Sequence, residues 1–172
     1  MKISLLLLVV VVSLSTYLVV STSAVFEGNA DPICNFWPNG DCLEAKFLSL
    51  SLLQKHQLIG LLHLDYWYLV FYSLLLGMWS YNEMQQQTTP WTNSWLRSCL
   101  LVVFILALTD ITENILLGQA LNHISYPFKA LAFVTRLKWI TLTFILLSLL
   151  ISVIGRKTGL FPLSLRLKNR IE

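Results

Sequence analysis

Four long apolar stretches constrain this chain more than any other feature. They cover about 3–24, 58–81, 98–118 and 131–154. A helix that crosses a bilayer needs roughly 20 predominantly apolar residues, and each stretch meets that length. In hydrocarbon, backbone N–H and C=O groups must be satisfied within the spanning segment, which the α-helix does. The expected fold is therefore all-α, a polytopic membrane four-helix bundle. It forms a single membrane domain over 1–172, with an outer loop at 25–57 and a basic tail at 155–172. Composition agrees. The chain is 56% hydrophobic and 12% charged, where soluble domains carry about 25% charge. This excludes a disordered chain, a nucleic-acid-binding domain and an ordinary soluble enzyme. The net charge of +3 calls for no polyanionic partner. The expected partners are the lipid bilayer and either another membrane protein or a second copy of the chain, with no nucleic acid.

The first stretch has two readings. Lys2 before an apolar run, with Thr22-Ser23-Ala24 after it, has the layout of a signal peptide. The run is also long enough to span, and a retained first helix is the favoured reading. The loop after it holds Glu27, Asp31, Asp41 and Glu44, with turn residues Gly28, Pro32, Pro38 and Gly40. Cys34 and Cys42 share this loop. They can close a disulfide if it faces an oxidising compartment, two free thiols being the alternative. Leu43 to Leu53 is leucine-rich and reads as a short helix on the membrane surface. Met84 to Ser94 and Asn122 to Lys129 read as connecting loops.

Orientation follows from the basic residues. Lys2, Arg97, Arg156, Lys157, Arg166, Lys168 and Arg170 fall on one side of the bundle. Lys46, Lys55, Lys129, Arg136 and Lys138 fall on the other. The dense tail cluster then places both termini in the cytoplasm. The six tryptophans lie near the expected span boundaries, as interfacial tryptophans tend to. The expected location is a plasma (inner) membrane or a secretory-pathway membrane.

The informative residues are those that hydrocarbon rejects. They are Asp65 in the second stretch, Asp110, Glu113 and Asn114 in the third, and Arg136 and Lys138 in the fourth. A charge at mid-bilayer costs about 2.5–3.5 kcal/mol on insertion scales. Asp110, Glu113 and Asn114 are spaced i, i+3, i+4 and share one helix face. With Asp65, Arg136 and Lys138 at similar depth, all six can form one polar cluster. Two readings stay open. The cluster can be a set of interhelical ion pairs and hydrogen bonds that holds the helices together. It can also be an outward-facing polar cavity for a small solute, an ion or a lipid headgroup. Asp110 and Glu113 would then form its acidic wall, with Lys138 as countercharge. A third reading, a membrane enzyme with a carboxylate as acid or base, has no nucleophile or cofactor to name. There is no Gly-x-Ser-x-Gly, phosphate-binding glycine loop or Cys-x-x-Cys. His63 and Asp65 point to different helix faces and His123 lies beside a loop, so no metal site is expected. No catalytic residue and no cofactor are assigned. The expected role is that of a structural or accessory subunit.

Leu64-Asp65 with Tyr72, Asp110-x-x-Glu113-Asn114 and Lys138-Trp139 together resemble the pattern of a family of small four-helix integral membrane proteins without an assigned activity. The resemblance covers about 64–154. Thr109 stands where the pattern usually has alanine, and the second stretch lacks a proline often found there. The resemblance implies that these residues act as a coupled set; it implies no reaction.

Overall fold

The structure is a computed structural model that describes residues 2–26, 37–87, 90–122 and 127–158. The described residues form five helices: α1 (Lys2–Val25), α2 (Gly40–Leu48), α3 (Leu52–Gln86), α4 (Pro90–Leu121) and α5 (Phe128–Lys157). All but α2 are long and apolar enough to cross a membrane.

The helices outrun the apolar stretches that announce them. α3 extends to Gln86, where the sequence suggests an end at Tyr81, and α4 begins at Pro90. The expected loop from Met84 to Ser94 is thus mostly helix. Hydropathy marks where a helix is greasy, whereas caps mark where it stops. The leucine-rich run of Leu43 to Leu53 is also not one surface helix. It breaks at Ser49–Ser51, because Ser51 starts a new helix with a capping box. Its hydroxyl accepts from the Gln54 N–H at 3.3 Å, and the Gln54 side-chain oxygen accepts from the Ser51 N–H at 2.8 Å. The Gln54 amide donates to the Val25 carbonyl at 2.8 Å, tying the end of α1 to the start of α3. α2 opens on Asn39, whose side chain accepts from the Cys42 N–H at 2.7 Å.

α4 is the central helix, packed along both α3 and α5, while α1 lies on α3 and α2 on α5. The inward positions alternate in steps of three and four. On α3 they are Leu58, Leu62, Asp65, Leu69, Tyr72 and Leu76. On α4 they are Leu96, Cys99, Val103, Leu106, Asp110 and Glu113. On α5 they are Leu131, Thr135, Lys138, Leu142, Ile145, Leu149 and Ser152. This is the coiled-coil seam spacing, which suits long antiparallel helices crossing at shallow angles. The charged residues therefore occupy core positions of the seam.

The core has two apolar parts. One, built on Leu69, Leu76, Leu96, Val103, Leu106, Ile145 and Leu149, fills the middle of the α3–α4–α5 bundle. The other lies at the end where α2 docks. There Leu43, Phe47 and Leu50 pack on Val25, Leu58, Ala120, Leu121, Phe128 and Leu131, with the Phe47 and Phe128 rings 5.7 Å apart. Gly40 permits that docking. A β-carbon there would lie 2.9 Å from Lys129 Cγ and 3.4 Å from the Lys129 backbone.

Candidate functional site

A single layer of the bundle gathers most of the charged candidates. Asp110 is fully buried. Its Oδ2 accepts from the Tyr72 hydroxyl of α3 at 2.6 Å. Its Oδ1 pairs with Lys138 Nζ of α5 at 2.5 Å. Glu113, one turn along α4, is held in the same manner. Its Oε1 accepts from the Thr135 hydroxyl at 2.6 Å, and its Oε2 accepts from Lys138 Nζ at 2.6 Å. Lys138 therefore bridges two carboxylates of the neighbouring helix. Three of the four carboxylate oxygens accept a hydrogen bond from a helix other than α4, and the fourth, Asp110 Oδ1, meets Lys138 as an ion pair without one. Asp65 completes the layer from α3, half-buried and within electrostatic reach of Asp110, Glu113 and Lys138, with the Asn114 amide beside it.

The seam explains why these residues meet. Asp110 and Glu113 face inward on α4, Thr135 and Lys138 on α5, and Asp65 and Tyr72 on α3. Tyrosine side chains in a helix lean towards its N-terminus, so Tyr72 reaches back to the level of Asp110 from two turns further along α3. Sequence reading found Asp65, Asp110, Glu113, Asn114 and Lys138. It assigned no role to Thr135 and used Tyr72 only as a motif position, because hydroxyls in apolar helices carry no penalty large enough to draw attention.

Arg136 is not part of this layer. Two residues from Lys138, it points to a different face of α5. Its Nε donates to the Pro38 carbonyl at 2.7 Å, and its guanidinium lies 5.5 Å from the centre of the Trp37 ring. It thus anchors the segment before α2. The balance of the layer shifts accordingly: among the described residues Lys138 is its one basic side chain against three carboxyls.

A second charged layer lies at the other end and was not foreseen. Glu83, near the end of α3, pairs with Arg156 of α5 at 2.9 Å and is buried with Ser152 and Gln87. The Ser152 hydroxyl donates to Glu83 at 3.4 Å and accepts from the Gln87 amide at 3.0 Å. Glu83 escaped notice because it lies beyond the apolar part of α3. Lys138 and Arg156 are five turns apart on α5, about 27 Å.

The other candidates are placed elsewhere. His63 is exposed. His123 and Cys34 lie outside the described residues, and with Cys34 the expected Cys34–Cys42 bridge. Cys99 is a buried free thiol in the seam. Among the described residues no group of three His, Cys, Asp or Glu side chains is arranged to hold a metal ion. On the α2 side, burial holds the Lys46 ammonium below the ordinary lysine range. Its Nζ sits 3.8 Å over the Phe26 ring. A groove of about 370 Å³ opens on the surface of α5 between Trp37, Trp139, Ile140 and Thr143.

No family model, no curated protein and no solved structure matches this chain.

Proposed function

We propose that the protein is a multi-pass integral membrane protein with a structural or accessory role, and that its two charged layers clamp the helices at the two edges of the hydrocarbon. The observation that carries this reading is the way Asp110 and Glu113 tie α4 to both neighbouring helices. Lys138 Nζ meets one oxygen of each carboxylate, and the other oxygen of each accepts from a hydroxyl of a neighbouring helix, Tyr72 for Asp110 and Thr135 for Glu113. Two further facts support it. The layers stand about 27 Å apart, close to the roughly 30 Å of a bilayer core. The surface between them carries exposed Val70 and Leu74 on α3, Leu101, Phe104 and Leu108 on α4, and Ile140, Leu147 and Ile151 on α5.

In this placement the charges sit at the rim of the hydrocarbon, where ionised groups are far cheaper than at its centre. Trp37 and Trp67 lie beside one layer, and Trp79 and Trp95 towards the other, as aromatic belts do. The basic tail places both termini in the cytoplasm, with α1 retained. α2 then faces outwards.

Lys138→Met is the test. It leaves two carboxylates without their cation, so the purified full chain should lose about 3 kcal/mol of stability in detergent. His63→Gln, at an exposed position outside the layer, should change stability by less than about 1 kcal/mol. A Lys138→Met variant as stable as the unaltered protein contradicts the clamp.

A further inference from the structure

The groove beside Arg136 has a chemistry of its own, which the clamp does not use. It lies on α5, lined by Trp37, Trp139, Ile140 and Thr143, and its lining is almost wholly apolar. Arg136 stands one turn towards the α2 side, and its Nε is spent on the Pro38 carbonyl. That bond and the Trp37 ring fix the guanidinium plane. Among the described residues no carboxylate pairs with Arg136. A guanidinium fork held in a fixed plane is suited to a phosphate. The positive charge of Arg136 thus stands at the α2-side end of an apolar groove.

We propose that this groove binds one anionic phospholipid of the leaflet on the α2 side. The phosphate meets the Arg136 guanidinium, and one acyl chain lies over Trp139, Ile140 and Thr143. The order of these groups along α5 carries the proposal. Arg136 is at the level of the Asp110–Lys138 layer, and the groove residues follow towards the apolar middle of the bundle. A headgroup and a chain have that same order across a leaflet. The proposal rests on the reading of α5 as a membrane span and is independent of the ion-pair clamp.

The test is native mass spectrometry of the full chain from micelles doped with equal phosphatidylglycerol and phosphatidylcholine. The expected result is retention of one phosphatidylglycerol, preferred about fivefold to tenfold. Arg136→Gln should abolish the preference, whereas Arg136→Lys should keep most of it. Thr143→Trp, a change at an exposed position, should reduce retention of both lipids by filling the groove. Equal retention of the two lipids overturns the proposal, as does an unchanged preference in Arg136→Gln. Displacement of the lipid by inorganic phosphate at matched concentration also overturns it, since the groove would then contribute nothing. Extraction of the membranes with alkaline carbonate separates this outcome from failure of the membrane reading. A chain that stays in the membrane but shows no lipid preference refutes the lipid site alone.

Discussion

At the scale of single residues, partnership rather than presence decides what a charge does. Arg136 and Lys138 are equally conspicuous in an apolar helix, and two residues apart they face different ways. Lys138 joins two carboxylates; Arg136 holds a loop carbonyl. The cost of burying charge makes both legible in the sequence, whereas the face each one takes depends on helix rotation and becomes visible only in the packed bundle. Tyr72 separates the contributions of hydroxyl and charge. Tyr72→Phe removes one donor from Asp110 and leaves Lys138 in place, so stability in detergent should fall by about 1 kcal/mol, measured by thermal or chaotrope unfolding. Glu83→Gln should cost more. It leaves the half-buried Arg156, whose Nε already lacks a hydrogen-bond partner, without its carboxylate.

At the scale of elements, the spans were legible and their ends were not. Apolar runs locate α1, α3, α4 and α5. The ends depend on short-range hydrogen bonds such as the Ser51–Gln54 capping box, which splits the leucine-rich run after α2. Ser51→Ala should cost about 1 kcal/mol and raise the rate of proteolytic cleavage between α2 and α3. Gly40 is a sharper probe of how α2 docks. A valine there must displace Lys129, whose backbone lies within 3.4 Å of the new β-carbon. Gly40→Val should therefore loosen α2 and expose Phe47 and Leu43, read as faster amide hydrogen exchange across α2. Unchanged exchange in that variant would refute the close approach of α2 to α5.

For the whole molecule, two ion-pair layers frame an apolar bundle whose central helix is α4. The apolar runs and the low overall charge made four helices capable of crossing a membrane legible from the sequence. That the few internal charges gather in two layers about 27 Å apart along α5 was not, because it depends on how far each helix extends beyond its apolar stretch. The basic tail predicts that an epitope tag at the C-terminus is reached by antibody only after the membrane is permeabilised; labelling of intact cells would reverse the orientation. The clamp itself is tested most directly by a double-mutant cycle on Asp110→Asn and Lys138→Met, read as unfolding free energy in detergent. The account predicts that each single change is destabilising and that the double variant recovers part of the loss, with a coupling of about 1–2 kcal/mol. Strictly additive losses, with no coupling between the two positions, would contradict it.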